Sequence, residues 1–182
     1  ALDVSGRCYG VGVGADGRYA AVTTEKGFVA IVDLAAGEQV RRYRPSDAEL
    51  YKAKLTSDRL IVAGREGPIR ELDLFTGEVL ATYDKGEASS EGLDLSDDGR
   101  YLLTGNHNGR IQLFDRRTGK EKCSLRNPFI NQANGCSDLL SADIAPGGRL
   151  GAVTGCGGQA IIIDLENGTI LRSLEAFPDF AT

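Results

Sequence analysis

Short apolar segments alternate with polar turns along nearly the whole chain. In one representative stretch, the apolar run Tyr101–Thr104 stops before the turn Asn108-Gly109, and two further extended segments follow at Arg110–Asp115 and Lys120–Leu125. Asn-Gly is the preferred pair for a two-residue hairpin, because both positions need a positive φ. No apolar run keeps the 3.6-residue period of a helix. The pattern therefore predicts strands joined by tight turns, four in each segment.

This arrangement occurs four times. Each segment contains an aspartate near the end of its third predicted strand, and these aspartates are spaced 40, 42 and 49 residues apart: Asp33, Asp73, Asp115 and Asp164. A glycine follows each of them at a nearly fixed offset, at Gly37, Gly77, Gly119 and Gly168. Periods of 20–50 residues are typical of repeat architectures. We expect each aspartate to be structural, its carboxylate accepting N–H groups of the turn that follows.

A four-stranded unit of this kind has two apolar faces and is not stable alone. Stacking the units face to face hides both faces from water. The predicted fold is therefore all-β, with four antiparallel meanders in a single domain over residues 1–182. The approximate repeats are 10–50, 51–90, 91–138 and 139–175.

The segments SDDGRYLLTGNHNGRIQLFDRRTGK and SDRLIVAGREGPIRELDLFTGEVLATY resemble blades of WD-repeat β-propellers. The likeness covers about Gly10 to Leu174. An apolar residue replaces the signature Trp before each aspartate (Val32, Leu72, Phe114 and Ile163), and no Gly-His dipeptide precedes the first strand. ELDLFTGEVLATY and IIIDLENGTILRSL also resemble repeats of quinone-dependent dehydrogenases and their non-catalytic relatives. We favour a divergent WD-type propeller.

Four blades are fewer than a WD-type propeller normally uses, although propellers as a class close with 4–8 blades. Three arrangements remain open. The chain is part of a longer propeller, or two copies complete one ring, or a different chain or a small four-bladed closure does so. The first residue is Ala rather than Met, which indicates that the chain is processed, trimmed or a piece of something longer.

Composition and charge exclude some classes of function. The net charge is −5 and no block of like charge occurs, so direct nucleic-acid binding is not expected. The small basic cluster of Arg41, Arg42 and Arg44 is either a solvated strand face or a contact site for a partner. Apolar runs such as Ala160–Ile163 are far too short to cross a membrane as a helix.

No catalytic, cofactor or metal set is visible. His107 is the only histidine and falls in the Asn106–Gly109 turn, so it supplies a single ligand or base and is read mainly as a turn residue. The glycine-rich segments Gly10–Gly14 and Gly155–Gly158 precede strands, whereas a phosphate loop needs a following helix. The cysteines match no metal or redox spacing and are expected to be free, buried or half-buried thiols: Cys8, Cys123, Cys136 and Cys156. Free thiols favour a reducing, intracellular compartment.

The connections between repeats are the best candidates for binding, because loops on a rigid scaffold often carry function. The longest connection, residues 127–138, contains Phe129, Ile130 and Asn131. Its apolar pair either anchors a partner or tucks under the loop to cover the core. His107 and the three arginines complete the set of candidate partner-binding residues.

The resemblance and the missing chemistry together predict a non-catalytic scaffold that binds other proteins in an intracellular assembly, with the cytoplasm as the expected location, and without a cofactor. The partner could also be a second copy of the chain or further blades. An alternative is a periplasmic or secreted propeller of the quinone-dehydrogenase or lactonase type, with a small ligand in its central channel. Fold alone does not decide between them.

Overall fold

A computed structural model describes residues 6–129, 137–156 and 158–175. The candidate residues Ile130 and Asn131 lie outside these ranges. The described residues form strands and turns only, which confirms the predicted all-β class. The strands form four antiparallel sheets, each of four consecutive strands in chain order, and we number these sheets as blades 1–4.

The sixteen strands are short and of similar length. Blade 1 contains β1 (Cys8–Val13), β2 (Tyr19–Thr24), β3 (Val29–Asp33) and β4 (Glu38–Tyr43). Blade 2 contains β5 (Leu50–Leu55), β6 (Arg59–Gly64), β7 (Ile69–Asp73) and β8 (Val79–Tyr83). Blade 3 contains β9 (Ser90–Leu95), β10 (Tyr101–Asn106), β11 (Arg110–Asp115) and β12 (Lys120–Arg126). Blade 4 contains β13 (Leu139–Ile144), β14 (Leu150–Gly155), β15 (Gln159–Asp164) and β16 (Thr169–Glu175).

The same backbone hydrogen bonds recur in every blade, so positions can be equated between blades. The residue after the first strand donates its N–H to a carbonyl at the start of the second strand, in the pairs Gly14–Tyr19, Thr56–Arg59, Ser96–Tyr101 and Ala145–Leu150. The residue after each repeat aspartate donates to the preceding turn, in the pairs Leu34–Arg18, Leu74–Asp58, Arg116–Arg100 and Leu165–Arg149. Val13, Leu55 and Ile144 are therefore equivalent, as are Leu34, Leu74 and Leu165.

The chain divides into two compact units, Ala1–Glu87 and Ala88–Thr182, and each contains two blades. In the first unit, one face of blade 1 packs against blade 2 in a single apolar core that includes Ala21, Ile31, Leu60 and Leu72. The inner strands β1 and β5 approach very closely at Gly12, where a Cβ would overlap the carbonyl oxygen of Ala53. A glycine is therefore required at this position.

The second unit repeats this arrangement with other side chains. One face of blade 3 packs against blade 4, and the shared core includes Leu103, Ile111, Val153, Ile163 and Leu165. The predicted face-to-face stacking of apolar sheets is thus present within each unit.

The repeat aspartates stabilise the turns between the third and fourth strands. Asp33 Oδ1 accepts the N–H groups of Ala35 and Ala36 at 3.0 Å, and Asp73 Oδ1 accepts those of Phe75 and Thr76 at 2.8 Å. In the other two blades the corresponding bonds run from Arg117 to Asp115 and from Asn167 to Asp164, both at 2.9 Å. The N–H groups of Thr76 and Phe75 hold the pKa of Asp73 below its ordinary value, since they stabilise the carboxylate.

The cysteines differ from the expectation. Cys8 and Cys123 are free, but Cys8 is exposed, and Cys156 is disulfide-bonded. The prediction of a free thiol was therefore wrong for Cys156, because spacing along the chain does not show which cysteines the turns bring together. The cysteines therefore do not support a reducing compartment.

Candidate partner-binding surface

Blade 1 has one apolar face that points away from blade 2, its neighbour in the same unit. The face consists of Val11, Val13, Val22, Val32 and Leu34, and we call it the open face. Val11, Val13 and Leu34 are 68 %, 56 % and 44 % exposed, whereas the equivalent Ala53, Leu55 and Leu74 of blade 2 are 3 %, 7 % and 0 % exposed. The blade 2 residues are buried because blade 1 packs on them. The same positions are therefore apolar in both blades, but only blade 2 has a neighbour that covers them within its unit.

Blade 4 confirms that these positions belong to an interface between blades. Its equivalents Ile144 and Leu165 are buried in the core shared with blade 3, and Ala142 packs against that core. Exposed contiguous apolar surface with a polar border is typical of protein–protein interaction sites. The open face of blade 1 is such a surface.

An aromatic ring and two arginines form one end of the open face. The guanidinium carbon of Arg42 lies 3.9 Å from the centroid of the Phe28 ring, and that of Arg44 lies 5.3 Å from it. Arg42 is on the open face because its strand partner is Ala30, two residues before Val32. We call Phe28, Arg42 and Arg44 the Phe28 patch. Arginine and aromatic side chains are enriched among the residues that dominate binding energy at interfaces.

The turn that carries Phe28 is fixed by its own hydrogen bonds. Thr24 Oγ1 accepts the N–H of Phe28 at 3.2 Å, and the N–H of Thr24 donates to the carbonyl of Phe28 at 3.0 Å. The ring is half-buried, and the guanidinium of Arg42 stacks on it. A fixed aromatic platform loses little conformational entropy on binding.

The charge of Arg44 in the Phe28 patch is only loosely compensated. Arg44 Nη2 lies 3.2 Å from Oδ1 of Asp47, but both side chains are largely exposed. Exposed ion pairs of this kind contribute little to stability, so a partner's carboxylate can compete with Asp47. The patch therefore favours a partner with acid groups beside an apolar surface.

Arg41 does not belong to this patch. It lies on the opposite face of β4, where its Nε donates to the carbonyl oxygen of Phe75 at 3.2 Å and its guanidinium sits over the Phe75 ring. The basic cluster seen in the sequence thus divides between the two faces of one strand. Arg41 joins blade 1 to blade 2, while Arg42 and Arg44 face outward.

His107 lies in the β10–β11 turn between two carboxylates. Its Nε2 is 3.0 Å from Oε1 of Glu91, and its Nδ1 is 3.8 Å from Oδ2 of Asp138. Nε2 is buried, yet the contact with Glu91 lacks hydrogen-bond geometry, so it is an ion pair only when the ring is protonated. The backbone N–H of His107 donates to the carbonyl of Ser89, and its carbonyl accepts the Ser137 hydroxyl. The contacts around His107 hold this turn against the neighbouring connections.

The long connection contributes one described candidate. Phe129 is buried, and its N–H donates to Oδ1 of Asn127 at 2.9 Å. A buried ring is not an exposed anchor, so its placement favours the alternative in which the apolar side chain covers the core. The roles predicted for Ile130 and Asn131 fall outside the described residues.

Phe28 was missed by the sequence analysis, although a comparison between repeats could have found it. The equivalent positions hold Pro68, Arg110 and Gln159, and the equivalents of Arg42 are the hydroxyl residues Thr82, Ser124 and Ser173. Repeat 1 thus departs from the other repeats at two positions that share one face. Departures of this kind indicate a role that the shared fold does not require.

Comparison with solved structures supports the propeller architecture. The chain superimposes on a chain of the structure titled "Crystal Structure of Mitotic Checkpoint Complex" with a TM-score of 0.84 at 20 % sequence identity. The match covers 96 % of this chain and 53 % of that one. At this identity the likeness shows the fold alone, and it confirms the predicted propeller blades.

Two comparisons of sequence give family information. Residues 14–125 match the family described as "Cytochrome D1 heme domain". A curated relative, the WD repeat-containing protein SL1-17 of Schistosoma mansoni, is 33 % identical over 116 residues. That match covers 59 % of this chain and 36 % of the relative, so the chain spans only about a third of the relative's length. The predicted resemblance to WD-repeat propellers is confirmed.

The family description names a haem, and His107 is the only histidine that could ligate it. Its two ring nitrogens lie close to carboxylates, Nε2 3.0 Å from Oε1 of Glu91 and Nδ1 3.8 Å from Oδ2 of Asp138, so an iron could approach either nitrogen only if a carboxylate moved. The chain also has no methionine, another common axial ligand. Across residues 6–129, 137–156 and 158–175, no three His, Cys, Asp or Glu side chains are grouped to hold a metal ion. Haem ligation at His107 would therefore require Glu91 or Asp138 to move away from the ring.

Proposed function

The chain belongs to the family described as the cytochrome D1 heme domain, in a WD-repeat-like form, and from this premise we propose that it is a non-catalytic propeller module that binds other proteins through the open face of blade 1. The observation that carries the proposal is the exposure of Val11, Val13 and Leu34 at positions that are buried in blade 2. Burying such side chains on binding contributes roughly 25 cal/mol for each Å² of apolar surface removed from water.

The comparisons support a binding role in general terms. The solved chain with the same fold is part of a protein complex, as its title states, and the curated relative is a WD-repeat protein. In the described part of the chain, no helix has the length and hydropathy that a membrane crossing requires. The family description is closer to the alternative hypothesis of a ligand-binding propeller, but the carboxylates around His107 weigh against haem ligation there.

The Phe28 patch gives the proposed interface its specificity. Arg44 favours a partner that brings a carboxylate to one end of an otherwise apolar contact, because its ion pair with Asp47 is exposed. Charge complementarity of this kind mainly raises the association rate and selects the partner, while the apolar face supplies affinity.

An affinity-tagged chain, expressed in cells that naturally contain it, tests this proposal. Proteins that copurify with the wild type are identified by mass spectrometry and then purified for direct calorimetric titration. The variants are Val13→Asp on the open face and Arg42→Glu on the Phe28 patch. We expect each to weaken binding by about tenfold or more, as for residues at the centre of an interface.

Two matched variants control for folding and for charge. Leu80→Asp adds a carboxylate at an exposed leucine of blade 2, and Arg18→Glu reverses an arginine that also stacks on an aromatic ring, that of Tyr19. Both should bind like the wild type. If Val13→Asp and Arg42→Glu also bind every identified partner as the wild type does, the proposal is wrong.

We also propose an intracellular location for the protein. The disulfide at Cys156 is more typical of an oxidising compartment. Immunofluorescence of the endogenous protein distinguishes the cytoplasm from the secretory pathway.

A further inference from the structure

Two hairpin turns of the second unit contain an asparagine followed by a glycine. Asn108-Gly109 lies between β10 and β11, and Asn167-Gly168 lies between β15 and β16, and both asparagines are exposed. A third pair, Asn134-Gly135, lies outside the described residues. Asparagine before glycine is especially prone to spontaneous deamidation, because glycine has no side chain to hinder attack of its backbone nitrogen on the asparagine amide. The two described turns hold this amide in opposite ways.

The amide of Asn108 is held by its oxygen. Asn108 Oδ1 accepts the backbone N–H of Arg110 at 3.1 Å. A donor at this oxygen withdraws electrons from the amide carbon Cγ, and it stabilises the negative charge that develops on the oxygen when a nucleophile attacks Cγ. The turn therefore makes the amide of Asn108 more reactive.

The amide of Asn167 is held by its nitrogen. Asn167 Nδ2 donates to Oδ2 of Asp164 at 3.1 Å, and the backbone N–H of Asn167 donates to Oδ1 of the same carboxylate at 2.9 Å. Hydrogen bonds to an ionised acceptor are stronger than those between neutral groups. The carboxylate adds electron density to the amide and holds the nitrogen that must leave during deamidation. The turn therefore makes the amide of Asn167 less reactive.

The glycine nitrogens do not distinguish the two sites. The N–H of Gly109 donates to the carbonyl of Asn106 at 3.0 Å, and that of Gly168 donates to the carbonyl of Asp164 at 2.8 Å. Each of these bonds must break before the nitrogen attacks. Exposed turns open locally at a small cost in free energy, so both glycines become available in the same way. The difference in reactivity then depends on the asparagine side chains.

We propose that Asn108 is a site of spontaneous deamidation in the folded protein, and that Asp164 protects Asn167 from the same reaction. The nitrogen of Gly109 attacks Cγ of Asn108, so that an N–Cγ bond forms and the Cγ–Nδ2 bond breaks. Nδ2 leaves as ammonia and takes the proton of the Gly109 N–H, and a cyclic imide remains. Water then opens the imide. Addition at Cγ gives aspartate, and addition at the main-chain carbonyl carbon gives isoaspartate, whose main chain runs through Cγ.

The reaction changes a turn that contacts two connections of the second unit. The N–H of His107 donates to the carbonyl of Ser89, just before β9, and its carbonyl accepts the hydroxyl of Ser137, just before β13. Isoaspartate at position 108 lengthens the main chain of this turn, and either product adds a carboxylate next to His107. Deamidation at Asn108 should therefore loosen the contacts of the turn with both connections.

Storage of the purified full chain at mildly alkaline pH, followed by reduction, trypsin digestion and tandem mass spectrometry, tests the proposal. Trypsin places the two sites in separate peptides, 101–110 and 150–172, and fragmentation distinguishes Asn108 from Asn106. We expect Asn108 to be converted roughly tenfold faster than Asn167. Methylation by an isoaspartyl methyltransferase identifies the isoaspartate product. In concentrated urea, where the turn contacts are lost, the two sites should react at similar rates.

Asp164→Ala removes the proposed protection. Asn167 should then react faster than in the wild type, whereas Asn108, in a different hairpin, should keep its wild-type rate. Asp97→Ala, which removes an exposed carboxylate outside both turns, should change neither rate. The rate at Asn108 also reports whether Asp164→Ala is folded, because in an unfolded chain Asn108 would react at its rate in urea.

Equal rates at Asn108 and Asn167 in the folded wild type, or a faster reaction at Asn167, contradict the proposal. So does an Asn108 that reacts in urea but not in the folded chain, because the native turn would then block the attack. An unchanged rate at Asn167 in folded Asp164→Ala would reject the protecting role of the carboxylate. If Asp164→Ala does not fold, the comparison of the two sites in the wild type decides the question.

Discussion

The carboxylate of Asp94 accepts a 2.6 Å hydrogen bond from the backbone N–H of Ile144, and this bond joins the first strand of blade 3 to the first strand of blade 4. Both residues are buried. In the first unit, the position of Asp94 is occupied by Gly12, where the two backbones approach directly. The two units therefore join their inner strands by different means at the same place.

Replacing Asp94 tests this connection. In Asp94→Ala the buried N–H of Ile144 loses its acceptor, and an unpaired buried donor costs about 1–3 kcal/mol. We expect the free energy of unfolding, measured by urea titration, to fall by that amount. Asp97→Ala removes an exposed carboxylate just after the same strand and should change it little. Equal stability of the two variants would show that the bond contributes nothing.

Gly77 tests the packing between blades 1 and 2. Its φ is +76°, and a Cβ there would overlap the ring of Tyr43. Gly37 is its equivalent in blade 1, with a φ of +66° and nothing within 4 Å of the corresponding Cβ position. Gly37→Ala should cost only the conformational strain of about 1–2 kcal/mol. Gly77→Ala should cost about 1–3 kcal/mol more, because the ring must move.

Differential scanning calorimetry of the two glycine variants supplies the comparison. Both substitutions add the same methyl group at a similar backbone conformation, so the difference between their melting temperatures reports the Tyr43 contact alone. Indistinguishable melting temperatures would mean that blade 1 does not pack on this turn.

The two glycine positions also show which contacts the sequence does not predict. The recurrence of Asp33, Asp73, Asp115 and Asp164 was sufficient to predict four blades, because each aspartate fixes a turn within its own repeat. Contacts between repeats do not follow from this local pattern. The difference between Gly37 and Gly77 depends on whether a preceding blade supplies a ring, and both glycines look alike in the sequence.

The candidate site illustrates the same limit. The basic cluster was visible in the sequence, but strand alternation sends Arg41 to one face and Arg42 to the other, and only the register shows which face is covered. The exposure of Val13 could not be predicted either, because burial depends on the neighbouring sheet. Phe129 shows the converse, since an apolar side chain in a long loop proved to be buried.

The turn aspartates predict how stability depends on pH. The pKa of Asp73 is lowered by the N–H groups of Thr76 and Phe75, and that of Asp164 mainly by the N–H of Asn167. A lowered folded-state pKa means that the unfolded chain takes up the proton first as the pH falls. The stabilisation is therefore complete above the unfolded carboxyl pKa of about 3.9 and is lost as the pH falls through the lower folded value.

Melting temperatures of the wild type and of Asp73→Asn, recorded between neutral and strongly acidic pH, measure this effect. The wild type should be the more stable at neutral pH, and the two curves should converge in acid. Asp97→Asn serves as the control and should follow the wild type. If the difference in melting temperature between the wild type and Asp73→Asn stayed the same at all pH values, the pKa of Asp73 would not be lowered in the folded protein.

The cysteines make a separate prediction about reactivity. Cys8 is exposed, whereas Cys123 is half-buried and its pKa is raised by burial, so less of it is the reactive thiolate. Without reductant, a maleimide should label Cys8 first, Cys123 slowly and Cys156 not at all, as read by peptide mass spectrometry. After reduction Cys156 should also react. Labelling of Cys156 in the unreduced, folded protein would argue against its disulfide.

This member of a haem-domain family is proposed to act by binding proteins, without using His107 to hold a haem. The most direct measurement is a titration of the purified chain and of His107→Ala with haem, followed by the Soret absorption. Because Glu91 and Asp138 occupy both sides of the ring, the two titrations should be the same, without a saturable component that requires the histidine. A stoichiometric Soret band in the wild type that disappears in His107→Ala would contradict the claim.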